Sequence, residues 1–294
     1  MNKNKNKKWK WLSLLAATIV LIGWITWENT ALELNEYQIK SEQLPESFQG
    51  FRIAQISDLH NAEIGKENVK LLELIEKAQP DIIVITGDII DSYHTDIETS
   101  LAFVEKVVEI APCYYVTGNH EARLTRDVFR NFEEKIKLYG VEVLHDKEVL
   151  LQRDGEHISL AGLDDPSFAS KHNGIRYSNL TNRIKELYTE DSFQILLSHR
   201  PELFQTYVDA EVDLAFSGHA HGGQFRIPFI GGILAPNQGF FPEYDEGLFT
   251  ENQTSMVVSR GIGNSLFPFR FNNRPEVVVV ELHKWLNEKL NSSS

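Results

Sequence analysis

The 294-residue chain has a single cysteine, Cys113, so no intrachain disulfide can form. A fold of this length must therefore rest on its core or on bound metal. Cys113 sits in the apolar run Cys113-Tyr114-Tyr115-Val116, which suits a buried structural thiol better than a nucleophile. Basic charge is also scarce: 29 Lys and Arg stand against 42 Asp and Glu, a net charge of −13. Lys3, Lys5, Lys7, Lys8 and Lys10 crowd into the first ten residues with no acid among them, and setting those five charges aside leaves the remainder at −18. An acidic body argues against non-specific nucleic-acid binding. It does not exclude a phosphate substrate, because bound cations can dominate the local field. There is no internal repeat, and no low-complexity segment beyond the lysine-rich start.

Long apolar runs are scarce too, with one exception. Trp11 to Trp27 is an uncharged stretch of 17 residues. As a helix it spans about 26 Å, at the short end for crossing a bilayer. Trp9, Trp11, Trp24 and Trp27 gather at its two ends, as interfacial tryptophans do. Lysines precede it and Glu28, Glu33 and Glu36 follow it, which predicts the N-terminus inside and the body outside. A cleaved signal peptide is the competing reading. Only the weak Asn29-Thr30-Ala31 offers a cleavage site, no twin arginine precedes the run, and no cysteine follows it for lipidation. An uncleaved signal anchor is favoured, placing a single-pass protein in the cell membrane with its catalytic domain extracytoplasmic.

Beyond residue 28 a polar linker runs into an edge strand around Glu33 to Ile39. Strands and helices then alternate. Strands are expected at 51–57, 81–85, 113–116, 141–144, 149–152, 157–163, 193–197, 213–216, 256–259 and 276–282. Helices are expected at 67–79, 101–110, 127–139, 179–188 and 202–207. The continuous run Asp81-Ile82-Ile83-Val84-Ile85 suits a strand buried on both faces. The expected organisation is a basic segment (1–10), a transmembrane anchor (11–27), a linker (28–44), one domain of mixed sheet with outer helices (45–285) and a polar tail (286–294).

Five predicted strands end in residues that carry chemistry. They are Ser57-Asp58-Leu59-His60; Gly87-Asp88, with Asp91 three residues on; Gly118-Asn119-His120-Glu121; Ser198-His199-Arg200-Pro201; and Gly218-His219-Ala220-His221-Gly222-Gly223. In α/β sheets that edge is where ligands bind. Taken singly, Asp58 and Asp88 also fit turns or caps, Asn119 fits a turn, and His199 fits a satisfied buried histidine. Five such junctions at otherwise apolar strands are harder to explain that way. Burying so many carboxylates and imidazoles together is costly unless something cationic neutralises them. Two divalent metals sharing a carboxylate would do so.

Asp-x-His, Gly-Asp-x-x-Asp, Gly-Asn-His-Glu, a lone histidine and Gly-His-x-His, in that order, resemble the calcineurin-like metallophosphoesterases over about residues 50 to 285. The resemblance implies an α/β (α+β) fold, a four-layer αββα sandwich of two mixed sheets. It implies that Asp58, His60 and His221 hold one metal, that Asn119, His199 and His219 hold the other, and that Asp88 bridges them. His120 matches a histidine that faces the scissile phosphate. Two cations can clamp phosphate oxygens and hold a hydroxide for in-line attack. A histidine beside them can act as general acid on the leaving oxygen. Nitrogen and oxygen donors without thiolate suit manganese, zinc or iron.

The arginine that follows the second motif in phosphoprotein phosphatases is absent here, where Asp91 is followed by Ser92-Tyr93. Arg123, Arg200 and Arg260 are the candidate replacements. Asp91 fits either support of a histidine ligand or a turn, and Arg260 either support behind the ligands or contact with substrate. Gly218 to Gln224, Arg226-Ile227-Pro228 and Ser259-Arg260-Gly261-Ile262-Gly263 are similar to the membrane-associated phosphodiesterases and pyrophosphatases of the family. The implied reaction is hydrolysis of a phosphodiester or pyrophosphate, with a lipid-linked substrate among the candidates. A nucleotide or cyclic-nucleotide phosphodiesterase, a phosphomonoesterase and an inactive metal-binding scaffold are the alternatives. The aromatic residues between Phe225 and Phe249, with Phe267 and Phe269, read first as core filling; an apolar rim at the site is the sharper reading.

Overall fold

The computed structural model describes residues 3–174, 176–177, 179–189, 191–264 and 267–285, so the tail expected at 286–294 lies outside the described residues. Helix α1 (Lys3–Glu28) precedes β1 (Glu33–Ser41), β2 (Phe51–Ile56), α2 (Val69–Ala78), β3 (Ile82–Thr86), α3 (Ile97–Val107), β4 (Cys113–Val116), α4 (Asn119–Arg123), α5 (Arg126–Tyr139) and β5 (Glu142–Val143). The hairpin of β6 (Lys147–Arg153) and β7 (Glu156–Gly162) leads through α6 (Pro166–Phe168) and α7 (Leu180–Lys185) to β8 (Gln194–Leu197), α8 (Phe204–Asp209) and β9 (Leu214–Ser217). Four two-residue strands follow: β10 (Arg226–Ile227), β11 (Gly231–Gly232), β12 (Leu234–Ala235) and β13 (Gly239–Phe240). Then come β14 (Gly247–Glu251), β15 (Thr254–Val258) and β16 (Glu276–Lys284).

The strands form two mixed six-stranded sheets, ordered β1-β16-β2-β3-β4-β5 and β14-β15-β9-β8-β7-β6. Period-two alternation explains why the sheets stack. On β3, Ile83 and Ile85 face α2, α3 and α5, whereas Ile82 and Val84 face the second sheet. On β9, Leu214 and Phe216 turn inward between the sheets and Ala215 turns out towards α7 and α8. The result is a four-layer αββα sandwich whose central layer joins Ile53, Val84, Val280, Leu160, Ile195 and Val257.

Several boundaries differ from the expected ones for local reasons. The edge strand expected around Glu33 to Ile39 runs two residues further, as β1, and pairs in parallel with β16 along its whole length. Helix α3 starts at Ile97 rather than 101 because the Asp96 side chain caps it, accepting from the Thr99 N–H at 3.1 Å. The 11–27 run lies within a longer helix. The stretch Lys7–Glu28 is apolar and long enough to cross a membrane, and only 6 % of its most apolar window is buried.

A half-buried ion cluster lies just beyond the ends of β5 and β7. His145 contacts Asp164 through Nδ1 at 2.9 Å and Glu133 through Nε2 at 3.2 Å, and Lys137 pairs with Glu133 on the far side. Burial favours the neutral imidazole, but the two carboxylates outweigh it and raise His145 from about 6.5 to about 9. The stabilisation is therefore complete below the unfolded value near 6.5 and is lost as pH rises through about 9. His145→Gln should cost about 1–3 kcal/mol near pH 6. The gap to the parent should close at about pH 10. Urea denaturation at the two pH values checks this; an equal gap at both would contradict it.

Candidate metal centre

Parallel strands of both sheets bring five loops to one edge: those after β2, β3, β4, β8 and β9. Their backbones are strained. Asp58, Asp88, His60, His219 and His221 all have positive φ, between 47° and 65°. Left-handed backbone at non-glycine residues costs on the order of 1 kcal/mol or more each, and persists where surrounding structure demands it. Close approach demands glycine as well. A Cβ on Gly218 would lie 1.9 Å from Ser57 Oγ and 2.3 Å from Asp58 Oδ2. A Cβ on Gly118 would lie 2.2 Å from Asp88 Oδ1.

Two groups of donors result. In the first, His60 Nε2 and His221 Nε2 are 3.2 Å apart, and His221 Nε2 is 3.3 Å from Asp58 Oδ1. In the second, His199 Nε2 is 3.2 Å from Asn119 Oδ1 and 3.1 Å from His219 Nδ1. Asp88 stands between them, its Oδ2 lying 3.7 Å from His60 Nε2 and 3.3 Å from His199 Nε2. All seven side chains are buried. Asp58-His60-His221 and Asp88-His199-His219 each present donor atoms close enough to share one ion.

The chemistry of this donor set fits divalent metal. His199 donates from Nδ1 to the Thr86 carbonyl at 2.8 Å, which leaves Nε2 with its lone pair facing the cluster. Burial pushes His221 down to about 3 and His219 well below the usual imidazole range, so both are neutral, the form that ligates metal. Burial resists charge at Asp88 and Asp58, yet His199 and His221 respectively, with neighbouring imidazoles, hold both carboxyls well below the ordinary range. His199 is pushed down by burial but carried up to about 10 by Asp88. A cation between them would take over the role of that proton.

His120 sits beside the first group. Its Nδ1 is 3.1 Å from the Ser92 N–H and 3.3 Å from Asp91 Oδ1, and its Nε2 is 3.0 Å from Arg123 Nη1. Burial pushes it down to about 4. Asp91 accepts the Tyr93 N–H at 2.8 Å, closing a turn, and its Oδ1 lies 3.3 Å from His120 Nδ1. A cleft of about 410 Å³ opens over the donors and is lined by Arg123, Lys171, Arg200, Tyr93, Pro236 and Asn237. A larger cavity, about 740 Å³, lies at the opposite, N-terminal edge of β8 and β9, around Lys185, Tyr188 and Asp213. No metal-ligating cluster lies there among the described residues; the candidate donors open into the smaller cleft.

Arg260 stands behind the ligand loops. It does not line the cleft; its guanidinium is held behind the His221 loop by Glu33, Glu246 and Glu276. With three carboxylates around it, no charge is left over for a substrate. Arg123 and Arg200 do line the cleft. Arg200 is anchored on Asp165 and approaches His219 Nε2 at 3.2 Å.

Sequence reasoning assigned no role to Glu121. Fully buried, it accepts the N–H groups of Asp88 and Ile89 at 2.9 Å and Gly118 at 2.8 Å, locking two ligand loops together. Its place in Gly-Asn-His-Glu was the available signal. Lys171 and Asn237 were missed because they come from α6's following turn and from a hairpin, with no motif around them.

The Calcineurin-like phosphoesterase family model matches residues 51–223. The uncharacterized metallophosphoesterase YkuE of Bacillus subtilis is 33% identical over 257 residues, 85% of each chain. Phosphodiesterase YaeI of Escherichia coli is 26% identical over 242 residues, 79% of this chain and 82% of its own. A transmembrane protein with metallophosphoesterase domain from Bos taurus is 30% identical over 252 residues. That match covers 82% of this chain and 54% of the relative, so the chain spans about half its length. The relative's name and the exposed apolar α1 together point to membrane association.

Proposed function

The chain belongs to the calcineurin-like phosphoesterase family, and from that membership we propose that it hydrolyses a phosphodiester or pyrophosphate bond at a centre of two metal ions. It is a metal-dependent phosphoester hydrolase. The observation that carries the finer reading is Asp88 Oδ2, which stands within 3.7 Å of His60 Nε2 and 3.3 Å of His199 Nε2. Asp58, His60 and His221 would hold one ion, Asn119, His199 and His219 the other, with Asp88 shared. Manganese, zinc or iron suits this set of imidazole, carboxylate and amide donors. When bound, the metals supply charge that clamps phosphate oxygens and activates water for in-line attack.

The chain's own groups do the rest. Arg123 and Lys171 give the cleft positive charge to receive a phosphoryl anion, while Arg200, paired with Asp165 and Glu202, offers N–H donors at its wall. Asp91 and Ser92 hold His120 at Nδ1, leaving Nε2 towards Arg123 and the cleft. Neutral in the buried site, His120 gains a proton more readily once substrate anion lies beside it, and Nε2 then passes that proton to the leaving oxygen. Residues 11–27 act as a signal anchor, with the basic 1–10 segment inside and domain 45–285 outside.

The test is hydrolysis of an aryl phosphodiester and an aryl phosphomonoester by the full chain after chelation, then after Mn²⁺ is restored. Activity should vanish on chelation and return with the metal, with the diester the better substrate. Activity that survives complete removal of metal would overturn the reading. A fully loaded protein inactive on every phosphoester would instead support a binding scaffold.

A further inference from the structure

The most conspicuous feature left unassigned is a rim of exposed aromatic side chains. Phe229 is fully exposed, and Phe240, Phe241 and Ile230 are each more than 60 % exposed, while Phe267, Phe269 and Phe271 are near 40 %. A contiguous apolar patch of this kind in water marks a surface that meets something apolar. These residues do not fill core between the sheets, the role first expected for them.

Ring contacts and hydrogen bonds join Phe225, Phe267, Phe269 and Phe271, and the Phe241 N–H donates to the Ile233 carbonyl while the Ile233 N–H donates to that of Phe225, both at 2.8 Å. Phe225 meets Phe267 and Phe269 with ring centroids 5.2 and 5.5 Å apart. Gln224 Nε2 donates to the Phe269 carbonyl at 2.7 Å, and the Arg226 N–H donates to that of Phe271 at 3.0 Å. Arg226 itself is neutralised by Asp245 and Glu246, so the face carries no spare charge there.

That face is tied to the end of α1. The Asn29 side chain accepts the Arg270 N–H at 2.7 Å and donates to the Arg270 carbonyl at 3.0 Å. Glu28 accepts from the Asn272 N–H. Arg274 clamps the Ala31 and Leu32 carbonyls and lies over the Trp27 ring, 4.9 Å from its centroid. Trp24 and Trp27 mark the interfacial end of an apolar helix. A loop bonded to that last turn therefore lies at interfacial depth. The same face borders the cleft: Asn237, three residues before Phe240, lines it and approaches His219 Nε2 at 3.3 Å.

We propose that this aromatic rim beds into the bilayer crossed by α1, so that the cleft acts on phosphoesters carried by lipids of that same membrane. The inference rests on the phosphoesterase reading above and adds the substrate's class and place. The bilayer is the occupant because the apolar span emerges at the rim itself. Partial insertion of Phe and Ile side chains beside a spanning helix is a favourable interfacial arrangement.

The test uses the full chain in vesicles of equal parts phosphatidylcholine and phosphatidylglycerol. Spin labels go on Phe229→Cys, Phe240→Cys and, as an aqueous reference, Leu138→Cys on α5, where Leu138 is 85 % exposed. Cys113 is buried and its thiol is pushed up to about 12, so it stays unlabelled. Labels at 229 and 240 should relax faster with oxygen than with a water-soluble nickel chelate, and the 138 label should do the reverse. Rim labels that behave like the 138 label would overturn the proposal. So would rim labels shielded from both reagents, the signature of a contact with a second copy or another protein. Kinetics give an independent arm. Replacing Phe229, Phe240 and Phe241 with serine should lower hydrolysis of a vesicle-embedded phosphodiester by about ten-fold or more. Hydrolysis of a water-soluble aryl phosphodiester should stay within about two-fold. Equal loss on both substrates would overturn the rim's role. If the parent chain cleaves neither, the phosphoesterase reading fails and the spin-label result alone decides docking.

Discussion

Asp88→Asn should lower phosphodiesterase activity by roughly 10³-fold or more. It should also strip metal from both positions, not one. Asp88 Oδ2 lies between the two donor groups, and Oδ1 accepts the His120 N–H at 2.7 Å. The amide keeps the size and removes the charge that neutralises two cations. The Asn side chain can still accept the His120 N–H, so the loops should fold. Metal content by mass spectrometry and initial rates check this. A variant that keeps two ions and most of its rate would remove the shared carboxylate from the account.

His120→Ala should show the opposite division. Its imidazole is held by Ser92, Asp91 and Arg123 and meets the His60 ring edge-on with centroids 4.4 Å apart, outside the His60-His221-Asp58 and His199-His219-Asp88 groupings. Metal content should stay near that of the parent while kcat falls by roughly 10²-fold or more. The loss should be smaller for a substrate whose leaving group is a strongly acidic phenol, because that oxygen needs no proton. Loss of metal in parallel with rate would make His120 a ligand. An equal loss on good and poor leaving groups would remove its role as proton donor.

The sheet architecture and the seven converging side chains were legible because each rests on local pattern. Apolar runs such as Ile82–Thr86 report a strand buried on both faces, and a chemistry-bearing residue after each run reports the same sheet edge. Long side chains were not legible, because nothing local says where a guanidinium ends. Arg260 stands in a motif-like Ser-Arg-Gly yet points into three carboxylates, while Arg123 carries no motif and reaches the cleft. Glu121 is read only once β3 and β4 are neighbours, since its partners are the N–H groups of another strand's loop. The hairpins β10–β13 escaped for another reason: two-residue strands rich in glycine have no periodicity to detect. Their aromatic residues looked like core, and only the fold shows them facing out.

Two ions sharing Asp88 would lie close enough to couple magnetically. Electron paramagnetic resonance of the full chain loaded with Mn²⁺ tests it most directly. The loaded protein should give the multiline spectrum of an exchange-coupled Mn²⁺ pair, lost in Asp88→Asn. A spectrum of isolated, uncoupled Mn²⁺ in an active protein would contradict it.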